Sequence, residues 1–167
     1  LRVVPLAGLA ATAAKDAEAA RRIIGGKLPD VWFDESWVSD LRFKQWTEDP
    51  AYGPWSIRAI GLKATGDVVG AMNCHHRPMD FVHDGKASLA VEIGYTIYEP
   101  WRRKGIAYEA ITGFNRWAAS QGVSNIVLSI SPDNQASLAL ARKLGAVQIG
   151  TQIDEIDGPE DIYLAPV

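Results

Sequence analysis

Arg102-Arg103-Lys104-Gly105-Ile106-Ala107 lies between a strand pattern and a helix pattern, and this junction is the most informative part of the chain. The preceding residues 90–98, Ala-Val-Glu-Ile-Gly-Tyr-Thr-Ile-Tyr, are rich in β-branched and aromatic side chains, which favours a half-buried β-strand. The apolar residues after the junction recur at three- and four-residue spacing and predict an amphipathic helix from about Gly105 to Gln121. Gly105 is therefore expected at a strand-to-helix turn.

A strand-to-helix turn of this composition favours anion binding. The start of a helix leaves backbone N–H groups unpaired and carries roughly +0.5 of an elementary charge, which attracts phosphate. Gly105 has no Cβ, so a phosphate oxygen can approach the backbone closely. The three preceding cations add attraction, although three charges alone would also fit a solvated basic turn.

The spacing within this turn carries a family resemblance. Arg-x-x-Gly-x-Ala at residues 102–107 resembles the pyrophosphate-binding signature of the GNAT superfamily of N-acetyltransferases. Glu92-Ile93-Gly94-Tyr95, Asn134-Gln135-Ala136-Ser137 and Lys143-Leu144-Gly145-Ala146 resemble the branch of alanine N-acetyltransferases that act on ribosomal proteins. The resemblance covers about residues 55 to 165.

The periodicity along the chain predicts a mixed α/β (α+β) protein. Helices are predicted at Ala10–Ile24, Ser36–Glu48, Gly105–Gln121 and Asn134–Leu144, and a loop at Arg77–Lys86. Strands are predicted at residues 2–6, 55–63, 68–76, 87–98, 125–131, 147–153 and 161–165. The resulting order, βααβββαβαββ, is that of the GNAT fold. The resemblance implies a mostly antiparallel sheet with flanking helices, in which two parallel central strands splay apart to admit pantetheine.

Composition bounds the class of protein. A chain of 167 residues with 47% hydrophobic content predicts one globular domain over residues 1–167. The net charge of −3 argues against a nucleic-acid partner, and no apolar run approaches the roughly 20 residues that span a bilayer. Cys74 is the only cysteine, which suits a reducing compartment. We therefore expect a cytoplasmic protein with neither nucleic acid nor membrane as a partner.

The resemblance implies acetyl transfer from acetyl-CoA, as co-substrate, to a primary amine by direct attack within a ternary complex. In such a protein the turn would bind pyrophosphate, and the backbone of the 94–97 segment would pair with pantetheine. The residues expected to bind acetyl-CoA are Tyr95, Thr96, Ile97, Arg102, Arg103, Lys104, Gly105, Ile106, Ala107, Asn134 and Ser137.

Two residues are candidates for proton transfer. Glu92 lies on the opposite side of its strand from Val91 and Ile93, so it could accept a proton from the amine through water, or remain a solvated strand carboxylate. Many superfamily members place a carboxylate on the following strand, where this chain has Ser129. In the branch that the chain resembles, a serine at Ser137 contacts the sulfur and protonates the thiolate. Other members use a tyrosine where this chain has Ala141.

The acceptor is expected to be a protein N-terminus or a small amine, including an aminoglycoside-like antibiotic. Trp32 and Phe33 lie in the loop that borders the acceptor site in this fold. Asp154 and Glu155 open the acidic run Asp154-Glu155-Ile156-Asp157, which could attract a cation. The histidines do not predict a metal site, because the adjacent His75 and His76 point to opposite faces of a strand.

Two rival functions remain open at the level of sequence. A non-catalytic acyl-CoA-binding or sensor module would keep the anion-binding turn without turnover, and Ser129 and Ala141 are compatible with it. A basic RNA-binding turn would give RNA affinity that falls steeply with salt, which the acidic composition opposes. The resemblance also makes a homodimer plausible, and the acceptor itself is not identified because acceptor contacts come from variable loops.

Overall fold

A computed structural model of the chain describes residues 1–155 and 158–167. The described chain divides into two compact units. The first contains Leu1–Arg77 and Tyr95–Ala107, and the second contains Pro78–Gly94 and Tyr108–Val167. None of the helices in the described ranges is long and apolar enough to cross a membrane.

The first unit begins with a short strand and a group of helices. After β1 (Arg2–Val3) come α1 (Leu6–Ala13), α2 (Ala17–Ile24) and α3 (Ser36–Glu48), with 3₁₀ turns at Asp30–Phe33, Pro50–Trp55 and Glu99–Trp101. The predicted bounds of α3 are confirmed. The single predicted helix Ala10–Ile24 is wrong, because Lys15 adopts a left-handed φ of 55° and the Asp16 carboxylate accepts a hydrogen bond from the Ala19 N–H at 3.0 Å. Asp16 therefore caps a new helix instead of continuing the first.

The strands of the first unit form an antiparallel meander, with β2 (Arg58–Gly61) pairing with both β1 and β3 (Val68–Cys74). The predicted hairpin around residues 64–67 is confirmed. Helices and strands share a buried apolar cluster. Its most buried members are Val4, Leu9, Ala20, Val68 and Ala59.

The second unit opens with a hairpin of β4 (Met79–His83) and β5 (Lys86–Ile97), whose last three residues belong to the first unit. Asp84 and Gly85 connect the strands with φ values of 49° and 72°, as a type I′ turn requires. The predicted loop at Arg77–Lys86 is therefore wrong. An Asp-Gly pair between alternating apolar residues was the signal for this hairpin.

The remaining elements are α4 (Ile106–Ser120), β6 (Asn125–Ile130), α5 (Gln135–Lys143), β7 (Val147–Asp154) and β8 (Gly158–Pro166). Helix α4 starts in the first unit and buries Ile111, Phe114 and Ala118 in the second. Strand β6 runs parallel to β5 and antiparallel to β8, which pairs with β7. Within the described residues the strand order is β1-β2-β3-β5-β6-β8-β7, with β4 on β5. The predicted mixed sheet with flanking helices is confirmed.

The two parallel strands pair over a short distance only. Residues Ala90–Glu92 of β5 pair with Asn125–Val127 of β6. Strand β5 continues to Ile97 and β6 to Ile130, and no pairing between them follows Glu92 in the described chain. The backbone of β5 after Glu92 thus takes no part in the parallel pairing with β6.

Gly70 sets the spacing between β3 and the end of β5 in the first unit. A Cβ built on Gly70 would lie 2.2 Å from the Thr96 carbonyl oxygen, which is backbone and has little freedom to yield. The Tyr98 N–H donates to the Val69 carbonyl at 2.9 Å beside this contact. Only glycine therefore fits where β3 meets residues Thr96–Tyr98.

We expect Gly70→Ala to lower the free energy of unfolding by about 1–3 kcal/mol, because the added methyl group must push two paired strands apart. Gly150→Ala is the matched control, since Gly150 also lies in a strand but a Cβ there would meet nothing within 4 Å. Urea unfolding of both variants measures the difference. Equal stability of the two variants would contradict this account of Gly70.

Candidate functional site

The turn between β5 and α4 holds the predicted anion-binding residues in an exposed, irregular conformation. Arg103 and Gly105 both adopt left-handed backbone geometry, with φ values of 62° and 78°. All four residues Arg102–Gly105 are exposed, and α4 begins at Ile106. A Cβ built on Gly105 would meet no protein atom within 4 Å, so the space beside it is open.

The backbone donors of this turn are available for a ligand. In the described chain, the N–H groups of Arg103, Lys104, Gly105 and Ile106 have no hydrogen-bond acceptor. They lie at the start of a helix of 15 residues, where the helix dipole adds positive potential. Four open donors at such a position form a site suited to an anion.

The three cations of the turn differ in their contacts. The Arg102 Nε donates to the Ile97 carbonyl at 2.9 Å, and the Lys104 Nζ donates to the Pro100 carbonyl at 2.9 Å. Lys104 also lies 4.8 Å from the centre of the Trp101 ring. Arg103 makes no hydrogen bond or ion pair within the described residues. Arg102 and Lys104 thus brace the turn, and Arg103 is the cation open to a ligand.

Tyr95 and Thr96 border a cavity of about 330 Å³ within the first unit. The Thr96 carbonyl faces Gly70 of β3. Because backbone groups alternate along a strand, those of Tyr95 and Ile97 point away from β3. Tyr95 and Thr96 both line the cavity, whereas Ile97 is tied to Arg102 through its carbonyl.

The cavity combines an apolar wall with several polar groups. The apolar lining comes from Val31, Trp32, Val38, Ile57 and Ala71. The uncharged polar lining comes from Ser39, Asn73, Tyr95, Thr96 and Tyr98. Three carboxylates, of Asp34, Glu35 and Glu99, and one cation, Arg102, complete it. A surplus of negative charge at a partly apolar cavity suits an organic cation.

Tyr98 is a phenol of the cavity wall that lies near two of these carboxylates. Burial raises the pKa of its phenol well above the ordinary value, and the carboxylates of Glu35 and Asp34 raise it further. Like an ordinary phenol, the hydroxyl is protonated at neutral pH and can act as a hydrogen-bond donor. The carboxylates, Asn73 and Tyr98 were not predicted as site residues, because only the packing of α3 on the sheet brings them together.

The side chains of Glu92 and Ser129 are hydrogen-bonded to each other. In the second unit the Ser129 hydroxyl donates to Glu92 Oε1 at 2.7 Å. Gln152 extends this contact, since its Nε2 lies 3.4 Å from Ser129 Oγ and 2.8 Å from Glu160 Oε2. Both Glu92 and Ser129 are half-buried. The serine that replaces a carboxylate on β6 thus orients the carboxylate on β5.

Asn134 and Ser137 lie together at the start of α5. The Asn134 Oδ1 accepts a hydrogen bond from the Ser137 N–H at 3.1 Å, which makes Asn134 the N-cap of the helix. Ser137 is half-buried, and the side chain of Asn134 is exposed. Ala141, one turn later, is completely buried, so a tyrosine there would not fit this packing.

The predicted acceptor residues lie in different surroundings. Trp32 lines the cavity but is only 6% exposed, and its indole N–H donates to Thr12 Oγ1 at 3.0 Å. Phe33 packs against the core of the first unit beneath the Arg21 guanidinium and does not line the cavity. Asp154 ends β7 and Glu155 follows it, whereas Ile156 and Asp157 of the acidic run lie outside the described residues.

The family model of the acetyltransferase (GNAT) domain matches residues 3–147 of the chain. The chain belongs to the GNAT acetyltransferase family. The curated "Uncharacterized N-acetyltransferase YycN" of Bacillus subtilis (strain 168) is 29% identical over 98 residues, which make up 59% of this chain and 57% of that protein. The matched region thus spans little more than half the length of this relative. The prediction of an acetyltransferase is confirmed at the level of the family.

Solved structures agree with the GNAT fold. A structure assigned to the GNAT family from Bordetella pertussis has a TM-score of 0.62 at 18% identity, over 99% of this chain and 93% of its own. The ribosomal-protein-S5-alanine acetyltransferase of Vibrio fischeri has a TM-score of 0.60 at 18% identity, over 100% of this chain and 89% of its own. The NatC complex bound to Gag peptide and CoA has a TM-score of 0.57 at 17% identity, over 79% of each chain. At such identities the likeness concerns the fold of this GNAT protein alone.

We expect Tyr98→Phe to change the free energy of unfolding by less than about 0.5 kcal/mol, because the Tyr98 hydroxyl has no hydrogen-bond partner in the described residues. Tyr52→Phe is the matched control. The Tyr52 hydroxyl donates to the Cys74 carbonyl at 2.6 Å, and its loss leaves that buried acceptor unpaired, at a cost of about 1–3 kcal/mol. Urea denaturation compares the two. A loss of stability in Tyr98→Phe as large as in Tyr52→Phe would show that the Tyr98 hydroxyl is structural.

Proposed function

We propose that this GNAT protein is an acetyl-CoA-dependent N-acetyltransferase that acetylates a primary amine by direct attack in a ternary complex. The observation that carries the proposal is the set of four open backbone N–H groups at Arg103–Ile106. Acetyl-CoA brings an activated acyl group and a pyrophosphate, and the turn offers donors, positive potential and open space at Gly105 for the latter. The residues present therefore fit the co-substrate.

The residues assigned to acetyl-CoA fall into three groups. Arg102–Ala107 would hold the pyrophosphate, with Arg103 as the cation of the turn that makes no hydrogen bond or ion pair within the described residues. The backbone of Tyr95–Ile97 would pair with the pantetheine arm, and one of its N–H groups would polarise the thioester carbonyl. Asn134 would reach the co-substrate while it caps α5, and Ser137 would lie at the sulfur.

Two side chains would handle protons. Glu92, oriented by the Ser129 hydroxyl, would accept a proton from the amine through water. Ser137 would deliver a proton to the departing thiolate. An amine must be neutral before it attacks, and an α-amine with a pKa of about 7.7–8.0 loses its proton far more easily than a lysine side chain near 10.4. Low-pKa amines are therefore favoured.

The acceptor would be a cationic amine, either a protein N-terminus or a small molecule such as an aminoglycoside-like antibiotic. The carboxylates of Asp34, Glu35 and Glu99 support this choice, since they surround a cavity with an aromatic wall at Trp32. We propose that Asp154 and Glu155 also attract the acceptor. Phe33 would act indirectly, by packing in the same 3₁₀ turn as Trp32.

A second candidate is a non-catalytic acyl-CoA-binding or sensor module. It is favoured by the absence of a carboxylate at Ser129 and of a tyrosine at Ala141. Both candidate functions include acetyl-CoA binding, so binding alone does not separate them. An enzyme would release free thiol when an amine is added, and a non-catalytic module would not.

The setting of the reaction is also a proposal. We propose a single domain over residues 1–167 that acts in the cytoplasm, as a monomer or homodimer, with neither nucleic acid nor membrane as a partner. The family match runs through both compact units, and Cys74 is a buried free thiol. The net charge of −3 favours cationic over anionic partners.

Gly105→Val should weaken acetyl-CoA binding at least tenfold, about 1.4 kcal/mol, because valine resists a φ of 78° and places a side chain in the open space of the turn. Gly85→Val is the matched control. It imposes the same strain at a φ of 72°, also in open space, but in the β4–β5 turn. Isothermal titration calorimetry with acetyl-CoA measures both affinities. Wild-type affinity of Gly105→Val, or equal losses in the two variants, would remove the basis of the proposed function.

Glu92→Gln should lower turnover chiefly at low pH, and Ser137→Ala should slow release of the thiolate. General acid–base effects are typically about 10²- to 10⁴-fold. Steady-state rates of thiol release across pH test both, with acetyl-CoA affinity as a check that the turn is intact. If both variants stay within a factor of about two of the wild type, water or other residues must transfer the protons.

A further inference from the structure

Asn73 lines the cavity of the first unit, and its side chain accepts a hydrogen bond from the buried Arg42. Arg42 of α3 is only 6% exposed, and its Nε donates to Asn73 Oδ1 at 2.9 Å. Its Nη1 donates to Gln45 Oε1 at 2.8 Å and to the His75 carbonyl at 3.2 Å. Gln45 Nε2 also donates to the His75 carbonyl, at 3.1 Å. These contacts hold the guanidinium in one position.

The arginine decides which end of the Asn73 amide faces the cavity. A guanidinium carries donors and no acceptor, so the oxygen of Asn73 must face Arg42. The Nδ2 group then points elsewhere, and it has no acceptor among the described residues. Asn73 is half-buried and contributes to the cavity wall. Its Nδ2 group is therefore a hydrogen-bond donor available to a ligand in the cavity, and the adjacent cation strengthens it.

A second donor lines the same cavity without a partner. Tyr98 is only 9% exposed, and its hydroxyl makes no hydrogen bond within the described chain. Burial and the carboxylates of Glu35 and Asp34 raise the pKa of the phenol, so it keeps its proton. Neither donor has an acceptor within the described residues, so a ligand in the cavity that brings an acceptor oxygen can hydrogen-bond to both.

The negative charge of the cavity lining restricts which kind of oxygen a ligand can place in the cavity. Asp34, Glu35 and Glu99 outnumber the single cation Arg102 in the lining. A carboxylate on the ligand would be repelled by this surplus, whereas an ammonium group would be attracted. The oxygen that meets Asn73 is therefore neutral, and the ligand carries a positive amine beside it.

We propose that Asn73, positioned by Arg42, binds a neutral oxygen three bonds from the amine nitrogen of the acceptor and thereby determines acceptor specificity. This inference rests on the proposed function, because it treats the cavity as the acceptor site. The carbonyl next to a peptide α-amine and the hydroxyl next to the amine of an amino sugar both supply this chemistry. Simple alkylamines lack the oxygen, and free amino acids carry a repelled carboxylate.

The test compares matched acceptors in the wild type and in Asn73→Asp. An aspartate still accepts from Arg42 but offers an oxygen to the cavity in place of the N–H donor. The pairs are alaninamide with sec-butylamine, and glucosamine with cyclohexylamine, each measured as kcat/KM for thiol release. For each pair, kcat/KM of the oxygen-bearing acceptor is divided by kcat/KM of the oxygen-free acceptor, and this ratio is compared between the wild type and Asn73→Asp. Differences between the two acceptors in amine pKa and overall charge then cancel. We expect the ratio of the oxygen-bearing to the oxygen-free acceptor to fall about tenfold in Asn73→Asp.

The two pairs distinguish the sources of the oxygen. A fall confined to the alaninamide pair identifies a carbonyl, and a fall confined to the glucosamine pair identifies a hydroxyl. Both outcomes support the proposal. An unchanged ratio in both pairs, with acetyl-CoA affinity and turnover intact, overturns it and leaves the proposed function standing. Absence of acetyl-CoA binding in the wild type would instead defeat the proposed function, and this inference with it.

Arg42 has its own test as a positioning residue. Arg42→Met should raise KM for the oxygen-bearing acceptor and leave KM for its oxygen-free partner unchanged, because Asn73 is then free to turn. Arg42→Lys retains a donor for Asn73 Oδ1 and should restore part of the preference. An equal loss of kcat/KM for both acceptors of a pair in Arg42→Met, without rescue by lysine, would show a purely structural role and contradict the positioning by Arg42.

Discussion

The anion-binding turn depends on four backbone N–H groups, those of Arg103 to Ile106, which have no acceptor within the described residues. A helix cannot satisfy its own first donors, and these four N–H groups precede or begin α4. The entry is shaped by left-handed geometry at Arg103 and Gly105, which costs a non-glycine residue roughly 1–2 kcal/mol. Hydrogen bonds from Arg102 to Ile97 and from Lys104 to Pro100 help to offset that cost.

The cavity of the first unit shows how packing creates a binding surface from ordinary residues. Gly70 lets β3 approach residues Thr96–Tyr98, which places Tyr98 near the carboxylates that precede α3. Arg42, from the buried face of α3, then fixes the amide of Asn73 on β3. Negative charge, two open donors and an apolar wall meet in this way around one space. Each of these groups lines the cavity because of a contact made elsewhere in the packing of the first unit.

Local sequence signals predicted the elements that position the anion-binding turn. Helix α3 has the predicted bounds, and the crossover through α4 gives β6 parallel to β5 as expected. The break at Lys15 and Asp16 was missed because alanine-rich flanks favour one continuous helix, whereas the Asp16 cap begins a second. The β4–β5 hairpin was missed although Asp84-Gly85 signals a type I′ turn.

The cavity could not be predicted in the same way, because its partners lie far apart in sequence. Arg42 and Asn73 are 31 residues apart, and Glu92 and Ser129 are 37 residues apart. Sequence reasoning treated Ser129 as a missing carboxylate, whereas the structure pairs its hydroxyl with Glu92. Trp32 lines the cavity, but its indole N–H is already bonded to Thr12, and its contact with an acceptor stays a prediction. Contacts of this kind depend on tertiary packing, which short motifs do not encode.

The most direct test of the central claim is the response of individual backbone amides to acetyl-CoA. In a ¹⁵N-labelled sample titrated with acetyl-CoA, the amide protons of Arg103, Lys104, Gly105 and Ile106 should show the largest downfield shifts, because they acquire charge-assisted hydrogen bonds to phosphate oxygens. Those shifts should saturate with the calorimetric affinity. Saturable binding that leaves these four amides unmoved while others shift would contradict the account.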